Sequence, residues 1–195
     1  MSLKSKVSLL LVLGIFTCAS GVALAKTSSP TPASVQSTDN VSVINILDNK
    51  ATVTLPEEFK RMSAKQMATQ YAAATPQPKE AWYIDTGKNV IALTFSFPYP
   101  GKALRDEQVP MVAEMMKTQM AQLNPVLTTK KVNGHTVSRL EMVMPDATRK
   151  GAPNHMLIQI ASFNNELMMS TYSVPAELKD KYLPIGLSAL DSLKY

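Results

Sequence analysis

Cysteine is nearly absent from this 195-residue chain, with Cys18 the only one. If Cys18 leaves with a cleaved leader, nothing remains to form a disulfide, a thiol nucleophile or a thiolate-bound zinc site. Histidine is almost as scarce. His135 and His155 stand alone, at a hairpin exit and a strand start, and no carboxylate pair at i, i+4 accompanies either, so a zinc site is not expected. The seven glycines form no phosphate-cradling loop, so the reading is no nucleotide and no other cofactor. No G-x-S-x-G elbow occurs either. No apolar run reaches the about 20 residues that a membrane-spanning helix requires. An excess of one charge is missing too. Without Lys4 and Lys6, the 20 basic residues fall to 18 against 15 acidic ones, a net +3. Lys130-Lys131 and Arg149-Lys150 lack the density and aromatic interleaving of a nucleic-acid surface. They read as solvated turns and strand edges.

What is present begins with a leader. Lys4 and Lys6 precede ten apolar or small residues, Val7 to Phe16, and Ala23-Leu24-Ala25 offers a small-x-small cleavage site. Residues 1–25 are therefore expected to be a signal peptide cut after Ala25, which places the rest of the chain in the periplasm or cell envelope. A second reading stays open. Cys18 sits where a lipoprotein signal carries its acylated cysteine, although Thr17 is a poor lipobox residue. Residues 26–40, KTSSPTPASVQSTDN, form a Ser/Thr/Pro-rich tether that suits a lipid-anchored domain. Residues 41–195 then make one domain, long enough to bury about 70% of its unfolded-state surface.

Within that domain the hydrophobic pattern alternates between two periods. Val41–Leu47 and Ala51–Leu55 flank Asp48-Asn49-Lys50, residue types suited to a tight turn. Glu57–Ala74 is rich in helix formers, with Phe59, Met62, Met67 and Tyr71 loosely periodic, and predicts a helix or a pair of helical turns. Ala81–Ile84 and Asn89–Phe97 make a hairpin around Asp85-Thr86-Gly87-Lys88, with Ile91, Leu93, Phe95 and Phe97 on one face. Val109–Leu123 predicts an amphipathic helix through Val112, Met115, Met116, Met120 and Leu123. Asn133-Gly134 joins the strands Val126–Val132 and His135–Met144. In the second of these, Leu140, Met142 and Met144 share one face, and Arg139 and Glu141 share the other. A polar loop spans Pro145 to Pro153. Asn164-Asn165 joins His155–Phe163 to Leu167–Val174. The last helix, Ala176–Leu193, carries a stripe of Leu183, Leu187, Leu190 and Leu193, with Pro184 expected to kink or break it. Hairpins imply antiparallel pairing, and an apolar sheet face must be roofed. The expected fold is α+β, a single antiparallel β-sheet flanked by helices.

The run Val43-Ile44-Asn45-Ile46-Leu47-Asp48-Asn49-Lys50 through Thr54-Leu55-Pro56 resembles the opening of the DcrB family of bacterial envelope proteins. The resemblance continues in order through Trp82, Asn133-Gly134-His135, Asn164-Asn165-Glu166-Leu167 and the helix after Val174-Pro175, covering residues 41–193. It implies a PsbP-like α-β-α sandwich, an envelope location and a non-enzymatic role in envelope upkeep, transport or phage adsorption. It brings no site residues with it. Thr17 and Pro184 depart from the family pattern.

Two candidate chemistries stand on the residues. Asp85-Thr86-Gly87 is the aspartic-protease triplet, but that chemistry needs two such aspartates sharing a proton, and one copy occurs. A hairpin turn is the simpler account. Methionine is abundant, 12 residues with 11 beyond Met1. Met111, Met115, Met116 and Met120 lie on one helix, and thioethers are soft ligands for Cu(I). Their spacing follows the apolar stripe, so the sulfurs are expected to point into the core as adaptable filler. The leading expectation is thus a domain that is not an enzyme and acts through an envelope protein partner. A periplasmic methionine-rich copper handler is the alternative.

Overall fold

The computed structural model describes residues 40–145 and 153–195. The expected leader with Cys18 and Ala25, residues 26–39 of the tether and 146–152 of the polar loop lie outside the described residues. Along the chain run β1 (Val41–Ile46), β2 (Ala51–Pro56), β3 (Lys60–Arg61), α1 (Ala64–Gln70), β4 (Glu80–Asp85) and β5 (Val90–Ser96). Then follow α2 (Val109–Gln119), β6 (Val126–Val132), β7 (His135–Pro145), β8 (Pro153–Phe163), β9 (Glu166–Pro175) and α3 (Lys179–Ser192). All pairings are antiparallel, and strands β3-β4-β5-β9-β8-β7-β6 form a seven-stranded sheet.

The turns explain the hairpins. Asn133 and Gly134 take φ of 48° and 95°, and Asn164 and Asn165 take 50° and 62°. Two successive left-handed residues give the turn whose twist matches the flanking strands. At the first hairpin Leu47, Asp48 and Asn49 are all left-handed.

The sheet is not single. β1 and β2 form a separate two-stranded ribbon, laid on one face of the large sheet beside α3. Ile46, Val53 and Leu55 of the ribbon share a core with Leu93, Phe95, Leu157, Tyr172, Leu183 and Leu190. The ribbon is tied down where Leu47 N donates to Glu80 Oε2 at 2.7 Å and Thr52 exchanges backbone bonds with Lys194. On the opposite face α2 packs over β6, β7 and β8. There Val109, Ala113, Met116 and Met120 meet Leu140, Met142, Ile158 and Ile160. Both faces of the central strands are therefore buried.

Three local expectations change. Glu57–Ala74 is not one helix; Phe59 and Met62 are buried and the chain between them pairs as β3 with β4. α1 starts only at Ser63, whose side chain and that of Gln66 cap each other's backbone N–H. Pro184 does not break α3; Pro184 and Asp180, whose carbonyl loses its intrahelical donor, both lie exposed, so the lost bond is not sealed in the core. Arg139, grouped with Glu141 on the face away from Leu140, is buried under α3 and does not face water.

Candidate interaction surface

The four methionines of α2 separate into two pairs. Met116 and Met120 point into the core, at 6% and 5% exposure, whereas Met111 and Met115 are 58% and 56% exposed. The inward expectation therefore fails for Met111 and Met115. At 100° per residue, the helix sets Val109, Ala113, Met116 and Met120 on one side and carries positions 111 and 115 round to the other. The pattern could have revealed this, since the Met111–Met115 repeat is out of phase with the buried one. The four sulfurs do not converge on one ion. What remains is a pair of flexible thioethers one turn apart, on water. Among the described residues no group of three or more His, Cys, Asp or Glu side chains is placed to hold a metal.

The other candidates resolve into structural roles. Asp85 accepts from Gly87 N at 2.7 Å, and Gly87 has φ of 78°, which is the turn geometry expected of this triplet. His135 has both ring nitrogens occupied. Nδ1 lies 3.4 Å from the Asp106 carboxylate and Nε2 3.2 Å from the Tyr195 carbonyl, while the ring stacks on Tyr195 at 4.3 Å. Among the described residues no serine or threonine hydroxyl bonds that ring; the arrangement fastens the C-terminal residues to the turn after β6. His155 is half-buried, and its pKa is lowered by burial first and by Lys179 second, against Glu141 and Asp180.

A buried polar row is the feature that sequence reading missed. Cross-strand register aligns Ser170, Gln159 and Arg139 on the α3 face of the sheet. Arg139 donates to Gln159 Oε1 at 2.6 Å and to Asp191, Gln159 donates to the Leu190 carbonyl at 3.0 Å, and Lys130 reaches Asp191 at 2.7 Å. Two cations and an amide thus meet the carbonyl end of α3, where the helix dipole favours positive charge. Burial pushes the Asp191 carboxyl up, but the bonds from Lys130 and Arg139 outweigh it and hold the group below the usual carboxylate range. The row anchors a helix.

With an antiparallel seven-stranded sheet roofed on both faces, the chain has a PsbP-like α+β fold. It is similar to the solution structure of the cyanobacterial PsbP protein CyanoP from Synechocystis sp. PCC 6803. The TM-score is 0.51 at 11% identity, covering 85% of this chain and 97% of that one. Looser similarities reach a Bacteroides thetaiotaomicron VPI-5482 protein and the Saccharomyces cerevisiae Ran-binding protein Mog1p. For the first the TM-score is 0.46 at 7% identity, covering 81% of this chain and 48% of that one; for the second it is 0.42 at 7%, covering 80% and 95%. No protein-family model and no curated protein matches the sequence. No helix among the described residues is long and apolar enough to cross a membrane.

Proposed function

We propose that this chain is an exported, non-enzymatic domain of the bacterial envelope that works by contacting another protein. The leader, with Lys4, Lys6, the apolar run to Phe16 and Ala23-Leu24-Ala25, supports export. The ordered resemblance to the DcrB family supports the envelope and a contact-making role. The observation that carries the reading is the Met111–Met115 pair. Large apolar side chains left on water by a helix whose other face is fully packed serve as adaptable contacts for a partner's apolar surface.

The test is a photo-crosslinking residue at position 115 in intact cells, with exposed position 69 on α1 as the control. A discrete adduct at 115, absent at 69 and lost with Met111→Glu, is the expected outcome; equal labelling at both positions would remove the support. The copper alternative draws on the same two sulfurs. Native mass spectrometry with Cu(I) separates the readings, since stoichiometric binding lost in Met111→Leu/Met115→Leu favours metal and no binding leaves protein contact. The mass of the isolated N-terminus decides the compartment detail. A free Lys26 means release, and an acylated Cys18 means an anchor.

A further inference from the structure

Among the described residues three strand edges are free, and they are not protected alike. β3 ends one side of the large sheet with only two residues, Lys60 and Arg61, both charged and exposed. β6 ends the other side and carries exposed Lys130 and Lys131. Short length and lysine are the ordinary defences against edge-to-edge pairing. β1 has neither. Its six residues, Val-Ser-Val-Ile-Asn-Ile, include no charge and no proline, and Val41 and Val43 are 57% and 71% exposed.

The backbone of that edge can be oriented from its neighbours. On β2, Thr52 N donates to the Lys194 carbonyl at 2.8 Å, and Thr54 N donates to Ser192 Oγ at 2.8 Å. Those two residues therefore aim their backbone groups away from β1. Ala51, Val53 and Leu55 must be the ones bonded to β1, opposite Ile46, Ile44 and Ser42. It follows that Val41, Val43 and Asn45 turn their N–H and C=O groups outward. Among the described residues none of these groups has a backbone partner beyond β2.

We propose that two copies of this chain pair antiparallel through β1, about a two-fold axis at Val43. In that register Val43 faces its own copy and Val41 faces Asn45, so every outward donor meets an outward acceptor. On the other side of the strand Ser42 faces Ile44. No residue meets a like charge, the usual obstacle when a strand pairs with itself. The two ribbons merge into one four-stranded sheet, β2-β1-β1-β2. The inference is independent of the α2 methionines. A six-residue edge spans only about 20 Å, so the interface is small and the association weak, read at about 100 μM protein.

Sedimentation equilibrium on the processed chain as isolated from cells tests this. A concentration-dependent dimer is expected. Val43→Lys puts like charges on the axis and weakens it about tenfold or more. Val41→Lys/Asn45→Lys does the same, whereas Val41→Lys/Asn45→Glu keeps the dimer because the opposed pair becomes complementary. These side chains are exposed, and unchanged unfolding midpoints confirm that each variant folds. A wild-type chain that stays monomeric overturns the proposal. A dimer indifferent to Val43→Lys overturns it equally.

Discussion

Gly186 lies on α3 against the ring of Tyr172. A Cβ added there falls 2.7 Å from Tyr172 Cγ and nearer still to two other ring carbons. The ring cannot yield easily, because it is fully buried and its hydroxyl donates to the Tyr182 carbonyl at 2.7 Å. Overpacking a core costs about 1–3 kcal/mol, and alanine's better helix propensity returns about 1. Gly186→Ala is expected to destabilise by up to about 2 kcal/mol, read as a lower urea midpoint with an unchanged slope. Asp191 gives the pH dependence. Its carboxyl is held low in the folded state, so its contribution is whole above the ordinary carboxylate pKa of about 4 and drains as pH falls through the depressed value. Asp191→Asn should cost about 1–2 kcal/mol at pH 7, discounted because Asp191 is half exposed. The gap between variant and wild type should close as unfolding is measured at successively lower pH below 4. A constant gap would mean that the carboxylate is not the source.

α3 shows what an element owes to tertiary packing. Its interior includes Pro184, yet the helix runs from Lys179 to Ser192, held by Tyr182, Leu183, Ala189 and Leu190 against the sheet. Proline in a helix interior is about 3 kcal/mol worse than alanine, and the stiffer unfolded chain offsets about 1 of that. Pro184→Ala should therefore stabilise by about 2 kcal/mol, visible as a raised thermal midpoint; a loss would show that the ring itself packs. The hairpins were legible from sequence because their turns are local chemistry, above all Asn133-Gly134 and Asn164-Asn165. Glu57–Ala74 was not. Its composition favours helix throughout, but Phe59 and Met62 have to reach the core, and only the pairing of Lys60 and Arg61 with Tyr83 and Trp82 allows this. The Ser63–Gln66 capping box, by contrast, could have marked where the helix begins.

At the scale of the molecule, the antiparallel α+β order was legible, while the separation of the β1–β2 ribbon and the outward Met111 and Met115 were not. A strand with both faces covered gives no alternation to read, and so a buried Arg139 looks like a solvent-facing one. The same double coverage makes a testable statement about cooperativity. β7, β8 and β9 send Leu140, Ile158 and Met169 into the core beneath α2 and Val137, Leu157 and Tyr172 into the core beneath α3. Neither core can lose its strands without the other. Met116 belongs to the first core, and Trp82, the only tryptophan, packs against the second from β4. Met116→Ala leaves a cavity at a buried site and should cost about 2–4 kcal/mol. If the domain unfolds as one unit, Trp82 fluorescence must report that whole loss from the opposite face, at the same urea midpoint as far-UV circular dichroism. Should the Trp82 transition stay at its wild-type position while the circular dichroism transition moves, the two layers are separate folding units. The shared sheet would then be a frame and not a coupling.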